Sequence, residues 1–376
     1  MSVEIVKVNT ARQRRMFIKF PEKLYRHNPY QVPNLVFDEQ TTLNPAKTPA
    51  SSFCKFELYL AYKDGELVGR AAAIINSLAN ERWGKKQVRI GWVDFIDDRE
   101  VSKALVDAVI AFGKANGMEY IVGPLGFTDL DPEGMLIEGF DRVSTMPAIY
   151  NFPYYPEHFE ALGFRKDADW KEFRIPVPDQ LPEKMIRVSK IVEQRAGVHV
   201  RKLTRRIVRK EDYGRKIFKM INETYKDLYE YTILPEELAD KYLGFYLSIL
   251  DLRYVSIVEN EQGELVAFGV TMPSLAKALQ KSRGELFPFG WIPLVRDMFF
   301  RHSEGVELLL IGVRPDYRGQ GLNSLLFVDM FTKFKKWGIK WAESNPELEL
   351  NAPMTSHWDI FEHEQHKRRR SYIMEI

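Results

Sequence analysis

Residues 307–326 read ELLLIGVRPDYRGQGLNSLL, and no other stretch of the chain carries as much chemical content. An apolar run, Leu308 to Val313, predicts a strand. A turn follows, with Pro315, Arg318, Gly319 and Gly321. Leu322, Leu325, Leu326, Met330, Phe334 and Trp337 then recur at helical spacing. A strand feeding a glycine-rich turn at a helix start leaves several backbone N–H groups pointing one way without an intrahelical partner. The helix dipole adds partial positive charge at that end. Glycine lets the backbone approach a bulky ligand closely. Such a turn binds a diphosphate. It has too few glycines for the dinucleotide-binding fingerprint, and the Gly-Lys-Ser/Thr of a Walker loop is missing.

The run Val313-Arg314-Pro315-Asp316-Tyr317-Arg318-Gly319-Gln320-Gly321 resembles the acyl-CoA-binding motif of the GNAT superfamily, Arg/Gln-x-x-Gly-x-Gly/Ala after a Val-x-Pro-x-Tyr lead-in. Arg318 and Gly321 match the motif, and Asn323 stands where Gly or Ala is usual. Asn caps helices and tolerates unusual backbone angles. The resemblance implies acetyl-CoA or another acyl-CoA as co-substrate. Arg318, Gly319, Gln320, Gly321, Leu322, Asn323 and Ser324 would hold it, with Asn351 where the family places an Asn after the motif helix. Backbone N–H groups near Ile311 and Val313 would polarise the thioester carbonyl, an oxyanion-hole function.

The same resemblance implies direct attack by a primary amine, with no acyl-enzyme. Cys54, far from the motif, then has no nucleophilic role. A base must take a proton from the attacking ammonium. Glu343 and Glu349 are the preferred pair, with Glu307 and Glu347 also on or near the two strands that splay apart in this fold. Many members carry a Tyr on the following short helix, expected here at Pro353–Phe361, which protonates the leaving thiolate. This chain has His357 and Trp358 there. Tyr372, on the last strand, is the alternative donor; otherwise another group acts or the thiolate leaves unassisted. No His/Cys cluster has metal-ligand spacing, so no metal is expected.

The elements that position these residues occur twice. Residues 57–75, ELYLAYKDGELVGRAAAII, and 253–272, RYVSIVENEQGELVAFGVTM, each predict a hairpin. Gly65-Glu66-Leu67-Val68 recurs as Gly263-Glu264-Leu265-Val266. A helical stretch precedes each hairpin, near 10–27 and 211–250. A strand and a helix follow, 88–96 then 99–115, and 307–313 then 321–337. The fold expected is α/β (α+β): two tandem GNAT-like domains, each a mixed, mostly antiparallel central sheet flanked by helices. Residues 1–178 form a degenerate domain, because Asp97 and Asp98 stand where its glycine turn would be. Its Tyr154–Phe164 segment, ending Leu-Gly-Phe, resembles the closing helix and strand of the family. Residues 179–204 are a connecting helix or arm leading into a strand at Arg206–Val208, and 205–376 form the domain with the cofactor turn. The extra length at 274–305, rich in aromatics, predicts a pocket wall or a contact with the first half.

Bulk properties agree with this outline. A chain of 376 residues suits two domains. The net charge of +2 gives no argument for nucleic acid. One cysteine permits no intramolecular disulfide, and no apolar run is long enough to cross a membrane, so a cytoplasmic location is expected. The reading is an acyl-CoA-dependent N-acyltransferase acting on a small-molecule or peptide amine. Two other readings stay open. One is a tRNA-dependent aminoacyl transferase of the peptidoglycan-bridge type, although those enzymes generally lack an intact CoA turn. The other is a non-catalytic acyl-CoA-binding protein.

Overall fold

The computed structural model describes residues 2–234, 250–300, 303–350 and 358–376, with Ala239 besides. In the first half come β1 (Glu4–Lys7), α1 (Ala11–Leu24) and α2 (Val36–Thr42), then the hairpin β2 (Cys54–Lys63) and β3 (Glu66–Asn76). After it come α3 (Ser77–Trp83), β4 (Gln87–Phe95), α4 (Arg99–Ala115), β5 (Tyr120–Gly123), β6 (Met135–Glu138), α5 (Tyr154–Ala161) and β7 (Arg165–Pro176). The second half opens with α6 (Glu183–Arg195), β8 (Val198–Val200), α7 (Arg205–Lys210) and α8 (Tyr213–Tyr225), then the hairpin β9 (Val255–Asn260) and β10 (Leu265–Pro273). It continues with α9 (Ala276–Ser282), α10 (Trp291–Val295), β11 (Gly305–Val313), α11 (Leu322–Lys336), β12 (Trp341–Ser344), β13 (Glu347–Leu348) and β14 (Glu364–Glu375). This is the tandem arrangement that the repeated layout predicts.

The recurring Gly-Glu-Leu-Val has a physical cause. Gly65 and Gly263 both take left-handed angles, φ 78° and 76°, in the tight turns of the two hairpins. A side chain there would strain the turn. One local expectation fails. Residues 206–208 are helical, within α7, because the Thr204 hydroxyl accepts the Ile207 N–H at 3.2 Å and caps a helix start. The strand near the boundary is β8, where Val198 and Val200 alternate with His199.

All the strands join one sheet, in the order β1-β2-β3-β4-β5-β14-β7-β12-β11-β10-β9-β8, with β6 on β14 and β13 on β7. The halves have exchanged their last strands. β14, from the end of the chain, lies between β5 and β7 of the first half. β7, from the end of the first half, pairs with β12 of the second. The helix α4 covers the first half's sheet with Val101, Leu105, Val109 and Phe112. In the second half α11 and α6 together cover the sheet, burying Met185, Val192, Leu322, Leu326, Met330 and Phe334. No described helix is long and apolar enough to cross a membrane.

The segment between β10 and β11 packs inward on the first half. Leu275, Leu279 and Leu294 join Val32, Leu35 and Met146 in one apolar cluster. Gln280 donates to the carbonyls of Pro29 (2.8 Å) and Gln31 (3.0 Å), and the Val36 N–H donates to Gly284 (2.9 Å).

Because β14 completes the first half's sheet, removing it leaves β5 and β7 as facing, unpaired edges. A chain ending at residue 362 should therefore be recovered insoluble, or soluble without a cooperative thermal transition by circular dichroism. Cooperative melting at the parent's temperature would contradict the strand exchange.

Candidate functional site

The turn ahead of α11 is built as its composition requires. After β11, Pro315–Tyr317 make a single 3-10 turn. Gly319 (φ 75°) and Gly321 (φ 85°) are both left-handed, and Gly321 is the N-cap of α11. The first amides of a helix have no intrahelical acceptor, and here their end faces the turn. A Cβ added at Gly319 would meet nothing within 4 Å, so that side of the turn is open. A Cβ at Gly321 would instead press on Val192 of α6 at 3.1 Å. Arg318 donates to the Thr224 carbonyl at 3.1 Å, which holds its guanidinium at the mouth between α8 and the turn. An anion would meet Arg318, the amides of the turn and the positive end of the dipole. Leu322, Asn323 and Ser324 form the first turn of that helix. Asn351 and His357 lie outside the described residues.

Beside the turn the sheet splits. β11 and β12 run parallel only as far as Leu308 opposite Ser344. Beyond that pair, Asn345 donates to the carbonyls of Leu308 (3.2 Å, backbone N–H) and Leu309 (2.8 Å, side chain), and the chain turns away to β13. β11 also shifts register there, since Val270 faces Leu310 while Thr271 faces Leu308. The splay and the bulge present Ile311 and Val313 to the opening. The Ile311 N–H donates to the Tyr225 hydroxyl at 3.2 Å, and that hydroxyl donates to the Ile311 carbonyl at 2.8 Å. Tyr225 is therefore a site residue that the motif did not reveal. It shares the apolar face of α8 with Ile217, Met220 and Ile221.

Two carboxylates with altered acidity line this region. Glu307, on β11, is buried. Burial pushes its carboxyl up to about 7, and the neighbouring charge of Glu343 adds to the rise. Its Oε2 accepts the Met146 N–H at 3.2 Å, and that bond and the Ser274 side chain each lower the carboxyl against the stronger effect of burial. Glu347 is also raised to about 7 by burial. It accepts from the Trp358 indole at 3.0 Å, and that bond and the Ser344 side chain lower it less than burial raises it. Its charge raises Tyr225, whose phenol is pushed to about 12 chiefly by burial.

Glu343, Glu349 and Tyr372 sit in different company. Burial would raise Glu343, but Lys367 and His366 outweigh it and hold the carboxyl down at about 2. Arg174 adds a bond at 3.0 Å, and His366 Nε2 lies 3.3 Å away. Glu349 pairs with Lys166 and Arg368 in a surface network and is held low by them. Tyr372 pairs in register with Gly123 of β5 and donates to Glu160 at 3.0 Å, so it belongs to the first half's core. The structure places Ile311 and Val313 on β11 and 318–324 in the turn that follows it, with Glu307 near the start of β11 and Glu347 on β13, and puts Glu349 and Tyr372 in other networks. Among the described residues, no group of three or more His, Cys, Asp or Glu could hold a metal ion.

The corresponding helix start in the first half already carries an anion. Asp98 caps α4, accepting the Glu100 N–H at 2.9 Å, and pairs with Lys63 at 2.6 Å. A cleft of about 90 Å³ opens elsewhere, walled by Tyr25, Trp92, Tyr150, Arg70, Asp94 and Glu39 of that half, with Arg283 of the second half also lining it. Arg70 and Asp94 form a buried ion pair at 2.8 Å. Trp92 holds a left-handed φ of 44° where β3 and β4 shift register, and its indole donates to Glu39 at 3.0 Å.

No family model matches the chain. It is 30% identical to Protein YghO of Escherichia coli (strain K12) over 372 residues, 96% of this chain and 93% of that protein. It is 24% identical to a bacterial ceramide synthase of Caulobacter vibrioides over 364 residues, 94% of this chain and 92% of that one. Among solved structures it resembles a tandem GNAT protein from the clavulanic acid biosynthesis pathway, without acetyl-CoA, at a TM-score of 0.59. Identity there is 12%, and the match covers 100% of this chain and 98% of that one, so the likeness is one of fold.

The Glu343 pairing makes a test of its own. A carboxyl held at about 2, below its ordinary 4.5, contributes stability that is complete above 4.5 and is lost as pH falls toward 2. Glu343→Gln leaves buried Lys367 with only Glu172, 3.5 Å away, as partner. At pH 7 urea unfolding should show a loss of about 3–5 kcal/mol, the usual cost of breaking a buried pair. The loss should shrink in the same titration below pH 4.5. An unchanged midpoint at pH 7 would refute the pairing.

Proposed function

The chain belongs to the family of Escherichia coli YghO, and from that premise and the tandem GNAT fold we propose that it is an acyl-CoA-dependent N-acyltransferase. The observation carrying this reading is the open, doubly left-handed glycine turn at the start of α11, set against the split between β11 and β12. The diphosphate of acyl-CoA lies on the turn, with Arg318 at the mouth. The thioester reaches into the split, where its carbonyl oxygen takes the place of the Tyr225 hydroxyl on the Ile311 N–H and is polarised there. A primary amine attacks that carbon directly. The C–N bond forms, the C–S bond breaks and CoA leaves as thiolate.

Glu307 is the base in this scheme. It is buried at the start of the split, and burial pushes its carboxyl up to about 7. A base of that strength is ionised enough to act and basic enough to accept a proton from an ammonium near neutrality. Glu343, kept ionised by Lys367, raises Glu307 and acts on it rather than on substrate. Glu347 and Tyr225, side by side at the far edge, are the described groups suited to return a proton to the thiolate. The likeness to a bacterial ceramide synthase favours an amphiphilic amine as acceptor and a long acyl chain.

Calorimetric titration with acetyl-CoA and with palmitoyl-CoA tests the turn. Gly319→Glu places a carboxylate in open space at the anion site, while Gly319→Ala applies the same backbone strain without charge. Binding should fall at least about ten-fold further for Glu than for Ala, because like charges repel at short range. No binding by the parent chain, or equal binding by both variants, would sink the reading.

Glu307→Gln tests the base. Its kcat should fall by roughly 10²–10⁴-fold with acyl-CoA affinity retained, and the rise in rate through pH 7 should disappear. Stability should move the opposite way. A carboxyl raised from 4.5 to about 7 loses stability as pH rises between those values, because the folded state must ionise a buried group. The Gln variant should thus melt higher than the parent at pH 8 and nearly equal to it at pH 4.

A further inference from the structure

The segment joining β10 to β11 is apolar on both sides. Its inner side packs Leu275, Leu279 and Leu294 against the first half. Its outer side leaves Phe287 (79%), Phe289 (72%) and Phe300 (78%) largely exposed, with Trp291 and Ile292 nearly half exposed. Phe37 is also exposed, next to Val36, whose N–H bonds to Gly284 at the base of the segment. Scattered exposed hydrophobics are ordinary, but this many in one short stretch form a patch. Leu286–Val295 contains ten residues and no charge. Around that tip Lys277 and Lys281 are exposed on α9, while Arg283 and Arg296 pair with Glu22 (3.5 Å) and Asp297 (3.0 Å).

We propose that this segment docks the protein onto an anionic lipid bilayer, with Phe287, Phe289 and Trp291 entering the headgroup region. Several observations favour a bilayer over a protein partner. An uncharged aromatic tip behind a basic collar fits the two forces that hold a peripheral protein at an anionic membrane. Trp suits the interface, where its amphipathic ring sits at headgroup depth. The uncharged run is too short to span a membrane, so it lies on the surface. The first-half cleft also opens beside the patch, because Arg283, Pro33 and Val36 line its mouth.

The proposal is independent of the acyl-transfer reading, and its test uses neither acyl-CoA nor activity. The full chain is sedimented with vesicles of phosphatidylethanolamine and phosphatidylglycerol, and with vesicles of phosphatidylcholine alone. Binding to the anionic vesicles is expected. It should drop at least about ten-fold for Phe287→Ser/Phe289→Ser/Trp291→Ser and for phosphatidylcholine, as lost apolar insertion and lost charge attraction each require. Thermal melts establish that the triple variant is folded. Lys277→Glu/Lys281→Glu, exposed on α9, carries the test if it is not, and should bind the anionic vesicles more weakly than the parent chain. The proposal is overturned if the parent chain stays in the supernatant with anionic lipid. It is equally overturned if the folded triple variant, or the charge-reversed variant, binds as the parent does. A parent dimer that the triple variant dissolves would show the patch to be a self-interface, and would also overturn it.

Discussion

Arg369 and Lys367 are buried inside the sheet, and Glu172 and Glu343 neutralise them there. That pairing fixes which strand lies beside which. The cations come from β14, at the end of the chain, and the anions from β7 and β12. Flanking them, Arg370 (2.8 Å) and Arg368 (2.8 Å) converge on Asp169 of β7. Desolvating so many charges costs nearly as much as their attraction returns, so the network is weak evidence for stability. What it supplies is register. Side chains alternate across a strand, and a slip of one residue would carry Arg369 away from Glu172. An uncompensated buried charge would then oppose every alternative pairing.

The exchange also makes the second half dependent on the first. β12 has β11 on one side and β7, from the first half, on the other. The split between β11 and β12 opens only because Asn345 stops the ladder and β13 leaves to pair with β7. Met146, from the first half, supplies the N–H that holds Glu307. A carboxyl near neutral acidity at this point needs burial, a like charge in register opposite it, and a loop from the other half as its lid. Three chain segments far apart in sequence set the environment of one side chain.

Sequence reasoning was strongest where the determinants are local. Hairpin turns that need a left-handed glycine, the apolar runs of β9 and β10, and the Arg318–Gly321 turn all depend on residues close together in the chain. Their positions were legible to within a few residues, as was the tandem layout. Long-range pairing was not legible. Glu343 and Glu349 look alike in IKWAESNPELELN, yet one is buried against Lys367 and the other sits in a surface network. Nothing in the local pattern separates them, because their partners lie on strands brought in by the exchange. Tyr225 stayed hidden for the same reason: its hydroxyl reaches Ile311, 86 positions away. Arg206–Val208 failed differently, since a β-branched pair in a short window suits either state until Thr204 caps it as helix.

The two halves show how little separates an anion site from a structural cap. Each has a strand, a turn and an amphipathic helix in the same order, and each helix start carries the same partial positive charge. In the first half Asp98 answers that charge with its own carboxylate, and Lys63 locks it in place. In the second half the equivalent turn has no acid at its glycines, and a Cβ at Gly319 would face only open space. An acid in the turn satisfies the dipole from within and closes the site. Glycine leaves the dipole unanswered and exposes it. A duplicated domain can therefore lose ligand binding at one copy, with its helix intact, through substitutions that also improve the cap. The copy that keeps its glycines forgoes that stabilisation, and the charge it leaves unmet is what a diphosphate would meet.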